Sequence, residues 1–272
     1  MEIRIFLPDN DFNIILLTYL CYDDKELTDA CWATVSGLMK RINPANLKYD
    51  DYSLDEADDL KNNIGTIRDA VRTLLTEAKK LGLKPSDPIK GLDRKSTFAP
   101  FWPVLKEGLN RSSGDMREST ANAIIDLTRV MTKDGIKPSA IAIMGALIRA
   151  MGDKWAANVK SATLNSITEL LKKLDVALKA FFPQLQTVLT KNLAENELKT
   201  RKCAVFAIAE LAKYTNKPDQ LLAEIFKIMK AQDGPDTLET FTFAVRVVIE
   251  NCGSKLTEKS IYRVFFFGGF YY

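Results

Sequence analysis

Apolar residues recur every three to four positions in the stretch Ala121-Asn-Ala-Ile-Ile-Asp-Leu-Thr-Arg-Val-Met131. This spacing places them on one face of an α-helix, which predicts an amphipathic helix with one buried stripe. The same pattern returns in residues 159–174 and 203–211, whereas the alternation that is typical of β-strands is almost absent. The sequence therefore predicts an all-α fold.

Helical stretches of this kind repeat at a fixed spacing from Phe98 onward. Four helix pairs can be laid out, and their first helices begin near Phe98, Lys137, Lys179 and Pro218. Their second helices begin near Asp115, Asp153, Glu195 and Asp236. A period of about 40 residues with two helices is typical of HEAT and armadillo repeats, which stack into an α-solenoid. A single helical bundle is the alternative, but its helices need not repeat at a fixed spacing.

The repeats predict how the chain is organised. Residues 98–263 hold four HEAT-like helix pairs and the start of a fifth. Residues 1–81 are expected to form irregular helical repeats, with helices at Asp9–Tyr22, Asp24–Ile42 and Leu54–Leu81 and with Asp24 as a helix cap. Residues 82–97 form a loop with high Pro and Gly content. Residues 264–272 are an aromatic C-terminus without the polar outer face of a terminal repeat, and we expect a truncation there.

The 272 residues contain no histidine, and this absence excludes several classes of function. A Ser-His-Asp or Cys-His catalytic arrangement cannot be assembled, and neither can a metal site with imidazole ligands. Glycine-rich phosphate-binding motifs are also missing from the sequence. We therefore expect no nucleotide cofactor and no metal site with imidazole ligands, and only carboxylate, Lys, Tyr or lone-Cys chemistry remains available to an enzyme. An enzyme that uses Lys or carboxylate side chains is the alternative, and it would need an enclosed pocket.

Cysteine usage and hydropathy predict the compartment. Four cysteines are scattered without a Cys-x-x-Cys pair: Cys21, Cys31, Cys203 and Cys252. Cys31 and Cys203 lie in apolar helical stretches, so we expect buried free thiols in a reducing compartment. No signal peptide opens the chain, and its longest apolar stretch, residues 12–22, is too short to span a bilayer. We therefore expect a soluble, cytoplasmic protein without a membrane partner.

Charged residues are unevenly distributed, although the formal net charge is only +3. An acidic window at residues 50–59 is either a solvated connector or a docking patch for a basic partner. Residues 137–217 contain thirteen Lys and Arg against six Asp and Glu, without the aromatic interleaving that stacks bases. These cations form either a mixed soluble surface or a positive strip that attracts phosphates or an acidic protein. Arg149, near a helix end, either caps the last carbonyls or reaches a partner's carboxylate.

Three stretches, in order along the chain, resemble a known family. They are Ile136-Lys-Pro-Ser-Ala-Ile-Ala-Ile-Met-Gly-Ala-Leu-Ile-Arg-Ala-Met-Gly-Asp153, Asn158-Val-Lys-Ser-Ala162 and Val176-Ala-Leu-Lys-Ala-Phe-Phe-Pro-Gln-Leu-Gln-Thr187. They are similar to the very large HEAT-repeat translational activator of the general amino-acid control pathway. That family switches on the protein kinase that phosphorylates the alpha subunit of translation initiation factor two. The chain departs from the family at Ala146 and Ala180, where the family has proline.

The resemblance implies a non-enzymatic scaffold in translational control. Such proteins associate with translating or stalled ribosomes under amino-acid starvation, together with an ATP-binding-cassette protein, and nucleic acid is contacted only through the ribosome. They also dock the N-terminal RWD domain of the kinase through their C-terminal part. The alternative is a generic α-solenoid protein-binding adaptor, importin-like or another HEAT scaffold.

The resemblance also implies which residues bind the partner. The arginine of the family's Pro-Leu-Ile-Arg stretch, tied to RWD docking, falls on Arg149. The aromatic residue of its Pro-Phe-x-Pro-Gln-Leu-Gln stretch falls on Phe181, which either supports that surface from the core or contacts the partner. Four further cations are expected to act as supporting charges: Lys154, Lys160, Arg201 and Lys202.

Overall fold

The computed structural model describes residues 19–41, 54–84, 87, 89–110, 113–152 and 155–268. Within these ranges the chain forms twelve α-helices and no β-strand, which confirms the predicted all-α fold. The helices are α1 (Lys25–Arg41), α2 (Leu54–Lys80), α3 (Trp102–Asn110), α4 (Gly114–Val130), α5 (Lys133–Ile136), α6 (Ala140–Ala150), α7 (Ala157–Leu174), α8 (Phe182–Lys191), α9 (Leu198–Tyr214), α10 (Pro218–Met229), α11 (Pro235–Cys252) and α12 (Glu258–Gly268). None of the helices in this described part is both long and apolar enough to cross a membrane.

The helix pairs begin close to where the repeat spacing places them. The first helices of the four pairs are α3, α6, α8 and α10, and the second helices are α4, α7, α9 and α11. Each of the eight begins within about four residues of its predicted start, which is ordinary agreement for a helix boundary. Two compact units divide the chain at residues 146 and 147, inside α6.

The second unit, residues 147–272, stacks its helices in two layers. Helix α9 packs between α7 and α11, so the second helices of three pairs lie side by side. The other layer contains α8 and α10, which contact each other, and α10 also contacts α11 and α12. Fully buried side chains such as Leu170, Ile208 and Val248 fill the space where these helices meet. Because one pair cannot cover its own apolar face, the stack supplies the core, as in α-solenoids.

The first unit, residues 1–146, is built around the long helix α2, which packs against α3 and α4. Helix α1 packs on the short 3-10 turn Lys90–Leu92. Its start is capped as predicted, because the Leu27 amide donates a hydrogen bond to Asp24 Oδ1 at 3.0 Å. Residues 1–18, which include most of the predicted helix Asp9–Tyr22, lie outside the described residues.

Two other predicted features lie partly or wholly outside the described residues. The acidic window begins at residues 50–53, which are not described, and continues into the first turns of α2. The aromatic C-terminus begins within α12, and residues 269–272 are not described. The acidic docking patch and the truncation both stay predictions.

All four cysteines are free and buried, as the sequence predicts. Burial raises the pKa of each thiol, and it raises that of Cys21 to about 11. The nucleophilic thiolate is therefore scarce at neutral pH, and access to it is restricted as well.

We expect iodoacetamide at pH 8 to leave all four cysteines of the folded protein unmodified on the timescale that labels a free thiol. In denaturant, all four should react, because unfolding exposes each thiol to the reagent and returns its pKa to the ordinary value. Intact-mass spectrometry counts the adducts. Rapid labelling of any cysteine in the folded protein would contradict the burial described above.

Candidate functional site

The turn before α9 brings together two of the six residues predicted to bind a partner. Lys160, from α7, places its Nζ 2.8 Å from Glu195 Oε1. Arg201, from α9, donates from Nη1 to the main-chain carbonyl oxygens of Glu195 at 3.0 Å and Asn196 at 2.8 Å. Lys160 is only 5% exposed and Arg201 only 4%. Both cations therefore form hydrogen bonds with groups of the same unit.

The prediction that Lys160 and Arg201 act as supporting charges for a partner stays untested, but both side chains are buried and paired in this structure. Each side chain points into the turn rather than to solvent, and each meets oxygen atoms that compensate the loss of water. Burying a cation is tolerated only where such partners are present. In this structure the two residues stabilise the turn.

A third buried cation, Arg117, occupies the same place in the first unit. It donates from Nη2 to the main-chain carbonyl of Asn110, and burial lowers its pKa. Arg117, Lys160 and Arg201 each lie four residues after the N-cap of a second helix. Their spacings of 43 and 41 residues match the repeat period. This period is the sequence signal for a shared role within the repeat. It does not enter the sequence prediction, which assigns partner binding to Lys160 and Arg201 and no role to Arg117.

Side-chain hydrogen bonds then fix the register of the second helices in the second unit. Ser161 Oγ of α7 lies 3.0 Å from Thr200 Oγ1 of α9, and both residues are buried. Arg201 Nε donates to Thr240 Oγ1 of α11 at 3.1 Å. Because these bonds join three neighbouring helices near their N-terminal ends, they limit how far one repeat can slide along the next.

Arg201→Ala is expected to lower the free energy of unfolding by about 2–4 kcal/mol, because two carbonyls and one hydroxyl lose a charged donor in a buried turn. Lys202→Ala is the matched control. It removes an exposed cation from the next position and should change stability by less than about 0.5 kcal/mol. Urea unfolding followed by circular dichroism measures both variants. Equal losses for the two would mean that Arg201 is not the structural residue described here.

Arg149 lies in the last turn of α6 and is exposed, whereas its chain neighbours Ile148 and Ala150 are buried. In the part of the chain that the structure describes, its guanidinium makes no ion pair. The buried neighbours hold the backbone in place, while the side chain faces solvent. A planar guanidinium in this position can bind a carboxylate through two parallel hydrogen bonds.

Of the other three predicted residues, the two that the structure describes lie on different elements. Phe181 ends the 3-10 turn Asp175–Phe181 just before α8, and it is half-buried beside the buried Phe182. Lys202 is exposed on α9. Lys154 lies outside the described residues. Among the described residues, no group of three or more Cys, Asp or Glu side chains is placed to hold a metal ion.

Comparison with known proteins supplies the family. The human protein named "Stalled ribosome sensor GCN1" is 32% identical to this chain over 252 residues, which is 89% of this chain and 9% of the human protein. The yeast protein from Saccharomyces cerevisiae named "eIF-2-alpha kinase activator GCN1" is 31% identical over 159 residues, or 58% of this chain. The chain therefore belongs to the GCN1 family. The Arabidopsis thaliana protein named "Protein ILITYHIA" is 31% identical over 268 residues, which is 96% of this chain and 9% of that protein.

The chain spans about 9% of the length of the human, mouse and Arabidopsis relatives that it matches. No protein-family model matches it. A designed armadillo repeat protein for modular peptide recognition gives a TM-score of 0.45 at 15% identity, covering 86% of this chain and 98% of the designed one. An engineered protein gives a TM-score of 0.46 at 14% identity, covering 89% and 98%.

Proposed function

We propose that this chain is the kinase-docking part of a translational-control scaffold of the GCN1 family. Its partner is the RWD domain of the kinase that phosphorylates the alpha subunit of initiation factor two. Two kinds of support point this way: relatives named as an activator of that kinase and as a sensor of stalled ribosomes, and an exposed arginine where the resemblance places the docking residue.

The exposed guanidinium of Arg149 is the observation that carries this proposal. An arginine that ends a helix could simply cap the last carbonyls, but the solvent-facing side chain is also accessible to a carboxylate of a partner. Phe181, which is half-buried, supports this surface in the proposal. Lys202 stays a supporting charge in the proposal because it is exposed, and Lys154 stays a sequence prediction.

The scaffold acts without catalysis in this proposal. It works in the cytoplasm, joins the kinase to stalled ribosomes or polysomes under amino-acid starvation, and cooperates with an ATP-binding-cassette protein. It needs no cofactor, and it meets nucleic acid only through the ribosome. Stacked helix pairs suit this role because they present long surfaces on which several partners can bind.

Arg149→Ala is expected to weaken binding of this chain to an isolated RWD domain of such a kinase by ten-fold or more, which is about 1.4 kcal/mol. The reason is the loss of a bidentate ion pair that is removed from water on binding. Arg149→Lys should recover only part of the affinity, because an ammonium keeps the charge but not the planar fork. Isothermal titration calorimetry measures all three proteins.

Lys227→Ala is the control for charge alone, since it removes an exposed cation from α10 in the same unit. It should leave the affinity within about two-fold of wild type, and circular dichroism should show unchanged helix content in every variant. If the wild-type chain does not bind the RWD domain, the docking proposal is wrong although the family stands. If Lys227→Ala costs as much as Arg149→Ala, the contact is diffuse attraction and not a site.

A further inference from the structure

The outward face of α9 carries an aromatic side chain that the repeat does not require. We define the α9 ridge as Lys199, Lys202, Phe206, Ala209 and Lys213, which follow one another at spacings of three and four residues and so share one helix face. Phe206, in its centre, is 57% exposed. Phe206 is thus one exposed ring beside cations, which is not the repeated aromatic interleaving that stacks bases.

Other repeats show that the fold does not demand an apolar residue at this place. Phe206 lies nine residues after the N-cap of its helix, and the same count gives Asn122 on α4 and Asn165 on α7. On α11 it gives a second aromatic residue, Phe243, which is 41% exposed. Two successive repeats therefore carry an exposed ring where two earlier ones carry an amide. Both rings are only partly covered by their own unit, so each leaves apolar surface open to a contact from outside.

The two rings lie on helices that pack side by side. Helix α11 contacts α9, and the hydroxyl of its residue Thr240 accepts a hydrogen bond from Arg201 of α9. Phe243 is exposed and follows Thr240 by three residues on α11, so it lies about one turn from the hydrogen bond that joins the two helices. The α9 ridge and Phe243 together offer two exposed rings on neighbouring helices, a combination that can anchor one bulky apolar side chain.

The charges beside these rings define the partner. Lys202 lies one turn before Phe206 on the α9 ridge and Lys199 lies two turns before it. Both are exposed and make no ion pair with a residue in the described ranges. Lys213, at the other end of the ridge, forms an ion pair with Glu210, with 2.7 Å between its Nζ and Glu210 Oε2. The positive charges that are not paired within the described ranges therefore lie on the N-terminal side of Phe206. Carboxylates that approach this end of the ridge meet ammonium groups that no neighbour has neutralised.

We propose that the α9 ridge and Phe243 bind an acidic protein segment that carries one bulky apolar side chain. The apolar side chain covers Phe206, and neighbouring carboxylates pair with Lys199 and Lys202. A nucleic acid fits less well, because its continuous negative charge would meet Glu239, which is exposed one turn before Phe243 on α11. A peptide can instead place an uncharged residue there. This inference does not depend on docking at Arg149, which lies on another helix.

A fluorescein-labelled peptide tests the proposal, with a single phenylalanine flanked on both sides by aspartate and glutamate. Fluorescence anisotropy with the full chain should show saturable binding. Phe206→Ala and Lys202→Glu should each weaken it by ten-fold or more, and a peptide with alanine in place of phenylalanine should lose a similar factor. Lys227→Glu is the matched charge reversal, on α10, and should leave binding within two-fold. Circular dichroism and thermal unfolding confirm that the variants fold, as expected for exposed positions.

Three results would overturn the proposal. The first is a wild-type chain that does not bind the acidic peptide. The second is a Phe206→Ala variant that folds and binds as tightly as wild type. The third is a single-stranded uridine oligonucleotide that binds more tightly than the peptide with the same dependence on Phe206 and Lys202, which would assign the ridge to nucleic acid. Arg149→Ala separates this proposal from the docking proposal: peptide binding should be unchanged in that variant while RWD binding falls.

Discussion

The buried cation in the first turn of three second helices is the interaction on which the described repeats depend. Arg201 shows the constraint most clearly, because it donates to two carbonyls of the preceding turn and to Thr240 of the next helix. A cation at a helix N-terminus is opposed by the helix dipole, so the position is stable only because these oxygens surround it. One side chain thus closes the turn within its own pair and fixes the register against the next pair.

This constraint also decides which residues face the solvent. Consecutive helix residues point about 100° apart, so an inward-facing Arg201 turns Lys202 outward. Phe206 then falls on the outward face at the spacing of the α9 ridge, although it belongs to an apolar stretch of sequence. The surface that we propose for a partner therefore follows from how the buried cation is satisfied, with Arg201 paired inside the turn and Lys202 exposed beside it.

Stacked repeats also explain how a chain that spans about 9% of its relatives' length can keep a recognisable fold. Each helix pair packs mainly on the pairs next to it, so most of its stabilising contacts are supplied by sequence within one or two periods. In the second unit, for example, α9 packs against α7, α8 and α11. Two chemically different surfaces result, a single guanidinium at the end of α6 and an aromatic ridge beside lysines on α9, and neither needs an enclosed pocket.

The sequence by itself determined the helical fold, the repeat period, the helix starts and the cap at Asp24, because these follow from local hydrogen bonding and from the spacing of apolar residues along one chain. It also placed the four cysteines in the interior. Only the tertiary structure decided that Lys160 and Arg201 are buried while Lys202 and Phe206 are exposed. Residue type misled in both directions here, since lysine and arginine suggest a surface and phenylalanine suggests a core. The reason is that burial depends on the helix or turn that packs against a given face, and that neighbour is set by stacking between repeats rather than by the residue's own stretch of sequence.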